Sequence, residues 1–430
     1  MIPDTRRRFF IASCIALIVT AMSFALRGDA IPHWTKEFGL SNEQAGYINM
    51  TAFWGFTLAM IFGGPLCDLI GLGRIAWVAL IGHIVGIGLT MAAWDYNSLF
   101  IGTLIFGIAN GSVEAACNPL IATIYPEDKT TKLNNFHVWF PGGIVIGGLL
   151  AFAMAKAGLG WRIQFGVMLL PALVYGAMFF GLKFPKTERV ASGISTADMF
   201  KACLNPLFLL MVACMFMTAA TELGPGQWIP AILQNAGVSG ILVLVWITGL
   251  MAVGRMCAGA FVHRLSPLGM LIGSAFFSAL GLFWLSKSSG TMLFAAATVF
   301  AIGVCFFWPT MLGFVSERLP RTGALGLAIM GGAGMLSAGY MVPVIGKSYD
   351  EGIAARIPQG VEAAALKAAD AASALGKQWS DIQAGAGLDA LGKVAVLPVA
   401  LLVLFVLIFV FDKRSRELHA EKVAAKNEVV

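Results

Sequence analysis

Apolar runs long enough to cross a hydrocarbon core recur about twelve times along this 430-residue chain. Such a core is roughly 30 Å thick and needs about 20 residues of helix. Only closed barrels and helices satisfy their backbone polar groups inside it, and runs of this length are helical. The predicted spans are 9–34, 44–70, 75–94, 98–125, 134–157 and 162–184, then 205–233, 239–262, 267–286, 291–316, 322–347 and 392–411. Composition agrees, with 58% hydrophobic and only 12% charged residues, against about 25% charged in soluble domains. The expected fold class is an all-α membrane protein with twelve transmembrane helices in two six-helix bundles.

A net charge of +6 on such a chain is a topology signal rather than a nucleic-acid signal. With both termini inside, the inner segments collect Arg6, Arg7, Arg8, Arg74, Lys183, Lys186, Arg189, Arg318, Arg321 and the basic tail. The short outer segments hold only Lys36, Lys156, Arg162 and Lys287. The asymmetry places both ends in the cytoplasm. Arg6-Arg7-Arg8 opens the first membrane helix rather than a signal peptide, because the apolar run continues past a usual signal core without a small-residue cleavage site. The polar stretch 186–204 reads as a cytoplasmic linker between bundles at 1–185 and 205–412, with a tail at 413–430. An Ala-rich insertion at 348–391 falls outside and reads as one or two amphipathic surface helices. The seven scattered cysteines have no disulfide or zinc spacing and are expected as buried thiols.

Glu114 stands inside the apolar run that ends at Tyr125. Eleven residues before that end is about 16 Å along a helix, near the midplane. A carboxylate at that depth costs at least ~2.5–3.5 kcal/mol and is placed there for a function or a partner. Burial penalises its charged form, the property a proton carrier needs. The structural alternative is a carboxylate locked to a neighbouring Arg or Asn. Arg27 and Asp29 are the other ionisable pair of this half. Arg27 could neutralise Asp29 or Glu114, or its guanidinium fork could hold an anionic group of a ligand. Asp29 is equally readable as an outer-gate ion pair.

The halves echo one another. Asp29 with Trp34 parallels Glu222 with Trp228, Asn118-Pro119 parallels Trp308-Pro309, and Gly142-Gly143 parallels Gly331-Gly332. Internal duplication in a helical membrane protein points to a transporter with its site between the repeats.

Gly64-Pro-Leu-Cys-Asp68-Leu-Ile-Gly71-Leu-Gly-Arg74, between the second and third spans, resembles the signature loop of the major facilitator superfamily. Gly64, Asp68, Gly71 and Arg74 fit that pattern, while Leu69 and Gly73 each replace a basic residue. The resemblance implies a cytoplasmic gate formed by Asp68 and Arg74; the alternative is an ordinary charged turn. A degraded copy surrounds Gly259, His263 and Arg264. Glu114-Ala-Ala-Cys-Asn118-Pro119 resembles the Glu-Ala-Ala-x-Asn-Pro motif of the fucose–galactose–glucose:proton symporter family. Thr221-Glu222-Leu, Gly-Arg255 and Trp308-Pro309 extend the likeness. It implies proton coupling at Glu114 and Asp29, and treats Arg255 as scaffolding.

A sugar site needs polar groups for hydroxyls and an aromatic face for the ring. Asn110, Asn118, Gln164, Glu222 and Gln227 supply the first; Trp139 and Trp308 are preferred for the second over Trp34 and Trp228. Trp94 and Trp161 suit interface anchoring. His137 serves as a proton relay or gate, and His83 as a satisfied core histidine. The expectation is a secondary transporter working by alternating access, taking a sugar with protons and acting as a monomer in a bacterial inner membrane. A carrier of a sugar acid or other organic anion anchored by Arg27 is the nearest rival, and an exporter the next. No Walker loop, dinucleotide fingerprint or zinc helix is present, so no enzyme activity, cofactor or metal is expected beyond the transported ion, and no nucleic acid among the partners.

Overall fold

The computed structural model describes residues 3–125, 132, 135–186, 201–256, 265–370 and 372–427. Among these, eleven helices are long and apolar enough to cross a membrane, and a shorter apolar helix, Gly240–Met256, stands where the eighth span is predicted. The first half contains α1 (Pro3–Glu37), α2 (Asn42–Ile70), α3 (Leu72–Met91), α4 (Tyr96–Ile124) and α5 (Trp139–Lys156). Its sixth span is broken at Met168 into α6 (Trp161–Val167) and α7 (Leu169–Phe179). The second half contains α8 (Pro206–Asn235), α9 (Gly240–Met256), α10 (Pro267–Leu285), α11 (Met292–Val304), α12 (Phe307–Arg318) and α13 (Gly323–Arg356). Two further helices, α14 (Ala363–Ala368) and α15 (Ala374–Lys393), precede α16 (Val396–Asn427).

Local chemistry sets the helix ends. Ser41 and Gln44 form a capping box at the start of α2, and Asp95 and Ser98 form another at the start of α4. The Ser98 hydroxyl and amide hold the half-buried Asp95 carboxyl below its ordinary range. That cap persists above the usual carboxylate range and is lost as pH falls through the lowered value. Asn205 and Ser266 cap helices that open on proline, which has no amide hydrogen to leave unpaired there. Gly71 joins α2 to α3 at φ 94° and ψ 149°, a conformation that excludes a side chain. It is one of the glycines of the signature loop.

Helix pairings between the two halves hold them together. Helix α2 packs along α13, and a Cβ on Gly46 would lie 2.5 Å from the Pro343 Cα. At the end of this seam the Asp350 carboxylate of α13 accepts from the Asn42 amide at 3.3 Å, its side-chain nitrogen at 2.9 Å and the Glu43 amide at 2.9 Å. An acid of one half thus caps the first turn of a helix in the other. Helix α5 packs on α9, and α1 on α8.

The 348–391 insertion departs from its reading as surface helices. α13 continues through its first residues to Arg356, and α15 packs against α8 and α13. Ile382, Ala386, Leu388 and Leu391 are buried. Arg356 pairs with Asp389, and the Ser380 hydroxyl donates to the Asn235 carbonyl at 3.2 Å. The last helix also runs past the predicted 411 to Asn427. Among the described residues six cysteines are free and buried; Cys257 lies outside them.

Candidate functional site

Prolines inside helices free two carbonyls that side chains of other helices take up. Pro309 has no amide hydrogen to give the Cys305 carbonyl four residues earlier. The helix breaks there between α11 and α12, and the Arg255 Nε of α9 donates to that oxygen at 2.9 Å. In the first half Pro119 frees the Ala115 carbonyl in the same way, and the Cys67 thiol donates to it at 3.3 Å. The paired prolines read from the sequence thus do matching work in the two halves.

Held by Cys305, Arg255 turns a terminal nitrogen to Glu222 Oε1 at 3.2 Å. The other oxygen, Oε2, is buried without a partner. This ion pair lines a cavity walled by α1, α5, α8, α9 and α11. Phe24, Phe140 and Ile247 make much of it apolar, and Gln227 and Thr248 add polar groups. The Gln227 side-chain nitrogen donates to the Phe24 carbonyl at 3.2 Å across the two halves.

Arg27 is wholly buried in α1. Its Nε donates to the Ser23 carbonyl of its own helix at 3.1 Å. Both terminal nitrogens have no partner. The guanidinium carbon lies 4.9 Å from the Phe24 ring centre and 5.5 Å from that of Phe53, so the rings take up part of the charge. Among the described residues it pairs with neither Asp29 nor Glu114, which sets aside both neutralising roles weighed for it. Asp29 is half-buried further along α1, with His33 as its titratable neighbour.

Glu114 is buried and accepts from the Asn118 side-chain nitrogen at 3.3 Å, one turn along α4. The Asn118 oxygen lies 3.1 Å from His137 Nε2. An amide oxygen only accepts, so that ring nitrogen carries the hydrogen. His137 therefore holds Asn118, and Asn118 holds Glu114.

A second chain uses up what the sequence offers as free groups. Tyr175, His83, Asn110 and Ser23 are linked at 3.0, 3.0 and 3.1 Å, and the Ser23 hydroxyl ends on the Thr20 carbonyl at 2.6 Å. His83 is a satisfied core histidine. Asn110 departs from its assignment as a substrate ligand, because both ends of its amide are committed.

Residues 10–349 match the family model of the Major Facilitator Superfamily. The chain belongs to this superfamily. It is 28% identical to the 3-(3-hydroxy-phenyl)propionate transporter of Escherichia coli, over 78% of this chain and 85% of that one. It is 26% identical to the cis,cis-muconate transport protein of Acinetobacter baylyi, over 60% of this chain and 66% of the relative, just under two thirds of its length. Among solved structures, a D-xylose–proton symporter superposes with a TM-score of 0.72 at 15% identity, covering 92% of this chain and 96% of that one. At that identity the likeness shows the fold alone. This facilitator is a secondary transporter and not an enzyme.

Other predicted ligands of the facilitator lie elsewhere. Gln164 is buried, but its amide donates to the Leu159 carbonyl at 3.2 Å, closing the turn before α6. Trp139 is 41% exposed at the start of α5, while its neighbours Phe140 and Pro141 line the cavity. Trp308 packs over Gly331 and Gly334 of α13 and is not in the cavity wall. Trp228 donates to the Val342 carbonyl at 2.8 Å, and Trp34 sits in a cluster with Trp161 and Phe165. Trp161, read as an interface anchor, is buried and donates to Glu37 at 2.8 Å; Trp94 is 76% exposed. Arg74 is exposed and bonds the Ile70 carbonyl of its own turn at 3.2 Å. The Asp68 side chain, and the copy at Gly259, His263 and Arg264, lie outside the described residues. The sequence points to neither Phe24 nor Phe140, and Arg255, read there as scaffolding, instead lines the cavity paired to Glu222. The signal for Arg255 was a second ionisable residue in an apolar run, in the same half as Glu222.

Proposed function

We propose that the facilitator moves a carboxylated organic solute together with protons, by alternating access, across a bacterial inner membrane with its basic end in the cytoplasm. The observation that carries this reading is the guanidinium of Arg27, buried with both terminal nitrogens unpaired. An unpaired buried charge is costly, and a carboxylate offers the two parallel acceptors that fork fits. The relatives support the same reading, being named for muconate, 3-(3-hydroxy-phenyl)propionate, hexuronate and gentisate. Glu114 is the proton carrier of this scheme, with Asn118 and His137 positioning it. An amide passes a proton only by tautomerising, so that chain orients the carboxylate rather than conducting to it. Asp29 is a second titratable group on the path beside Arg27.

The sugar reading keeps one specific support, the Glu114-to-Pro119 motif, and a weaker one in a D-xylose transporter of Levilactobacillus brevis, 25% identical over 36% of this chain. The two readings separate in one binding experiment on the purified protein in lipid nanodiscs. Aromatic carboxylates and uronates are compared with their methyl esters and with neutral sugars. Acids are expected to bind and esters to bind at least tenfold more weakly. Equal binding of acid and ester, or binding confined to neutral sugars, overturns the carboxylate reading.

Alternating access requires the seam at Asp350 to part when that end opens. Asp350→Asn keeps the shape of the cap but loses the charge at the α2 N-terminus, a loss of roughly 1–2 kcal/mol. The variant is expected to shift its equilibrium toward opening at that end by about 5–30-fold. Spin labels at Lys36 and Lys347 would report the shift as a longer mean distance. An unchanged distance distribution in a folded variant removes Asp350 from the gate.

A further inference from the structure

We infer that the cavity walled by α1, α5, α8, α9 and α11, with Phe24 between it and Arg27, contains a hydroxyl-accepting subsite, formed by Gln227 and Glu222, so that the solute is a hydroxylated carboxylic acid with an apolar body between its two polar ends. The inference rests on the carboxylate reading above and adds to it the identity of the far end.

The polarity of the subsite follows from bonds already made. The Phe24 carbonyl can only accept, so the Gln227 atom 3.2 Å from it is the amide nitrogen, and the oxygen points elsewhere. That oxygen is buried and has no donor. Glu222 is oriented the same way: Arg255 takes Oε1 at 3.2 Å and leaves Oε2 buried without a donor. Gln227 is 3% exposed and the Glu222 side chain 9%. Both residues line one cavity. The hydroxyl of Thr248 in the same wall is already given to the Leu244 carbonyl at 2.8 Å. Two buried acceptors in one cavity wall thus receive no hydrogen bond from the protein. Native proteins rarely leave such atoms unless something else supplies the bond.

What supplies it must be a donor. A second carboxylate would bring its charge against Glu222, whereas a hydroxyl presents a hydrogen to either oxygen. Arg27 has the opposite character, with two donors and no acceptor. Phe24 lies between the two sets: its ring stacks on the guanidinium and lines the cavity, and its carbonyl holds Gln227. Phe140 meets Phe24 edge-on at 5.2 Å and lines the same wall. Arg27 is not itself in the cavity wall; the Phe24 residue touches both the donor fork and the acceptor Gln227. A matching solute has its carboxylate at Arg27, hydrocarbon or a flat ring against Phe24 and Phe140, and a hydroxyl at Gln227 and Glu222.

The test uses matched ligands that differ by one hydroxyl: benzoate and 3-hydroxybenzoate, 3-phenylpropionate and 3-(3-hydroxyphenyl)propionate. Affinities are measured on the full chain in nanodiscs for wild type, Gln227→Met and Arg27→Gln, with folding checked by melting. Gln227→Ala replaces Gln227→Met if the latter does not fold. In at least one pair the wild type is expected to prefer the hydroxylated member by tenfold or more. Gln227→Met should reduce that ratio to within about twofold, whatever its absolute affinity. If both pairs bind in an Arg27-dependent way with no hydroxyl preference, or if the preference survives in the Gln227 variants, the subsite holds only water and the inference fails while the carboxylate anchor stands. If Arg27→Gln binds all four acids as the wild type does, the anchor itself fails. If no acid binds the wild type, both readings fail.

Discussion

Arg27→Met should bind carboxylated solutes at least 100-fold more weakly than the wild type and yet melt at a higher temperature when no solute is present. The binding loss follows from two charge-assisted hydrogen bonds, each contributing about 1.5–3 kcal/mol. Their sum exceeds a hundredfold in affinity. The gain in stability follows from the empty state of the protein. Both terminal nitrogens of Arg27 are buried without partners. The neighbouring Phe24 and Phe53 rings return only about 0.5–2 kcal/mol of cation–π energy. An apolar side chain of similar length removes that desolvation cost, as replacing buried ions often does. A residue kept only for structure would show the opposite sign. A variant that melts below the wild type would make Arg27 a packing element, and one that binds acids within tenfold of the wild type would end its role as anchor. Arg27→Lys should fall between, since an ammonium keeps the charge but not the fork.

Arg27 and Glu114 were legible as positions because an ionisable residue in an apolar run is conspicuous whatever surrounds it. The twelve spans were legible for the same reason: bilayer thickness sets their length. What the surroundings do with a polar group was less legible. Asn110 and Asn118 lie two turns apart on α4 and look alike in sequence. One is consumed by His83 and Ser23, while the other bridges His137 and Glu114. Only the placing of α1, α3 and the segment just before α5 around α4 separates them. Arg255 reads as scaffolding in the sequence because its place beside Glu222 depends on a carbonyl that Pro309 frees on another helix. The sequence shows the proline, but spacing does not give the partner of the missing bond. Asp350 reaches across 308 positions to Asn42, a distance at which no local pattern carries information. The insertion at 348–391 reads as amphipathic and exposed because much of the surface that α15 covers lies on α8, which is remote in sequence.

Glu114→Gln should leave exchange of solute across the membrane intact and abolish accumulation driven by a pH gradient. The substitution keeps an oxygen where Asn118 donates at 3.3 Å, so the local bond survives and only the titratable proton is lost. Carrying one proton with one monocarboxylate is electroneutral. Accumulation by the wild type should therefore follow the pH difference and ignore the membrane potential. A gradient of one pH unit corresponds to 1.36 kcal/mol, or about tenfold accumulation. In reconstituted vesicles the wild type is expected to approach that ratio, and Glu114→Gln to stay at about onefold with or without the gradient. Exchange by the variant should also vary less with pH, because the step that required a neutral carboxyl no longer titrates. Asn118→Leu provides a control on position: it removes the bond that orients Glu114 but not the acid, so it should slow exchange while the final accumulation ratio remains near that of the wild type. Wild-type accumulation by Glu114→Gln would move the proton to another group, with Asp29, Glu222 and His137 the next to be replaced. A final ratio lowered in Asn118→Leu as far as in Glu114→Gln would make the amide part of the coupling itself.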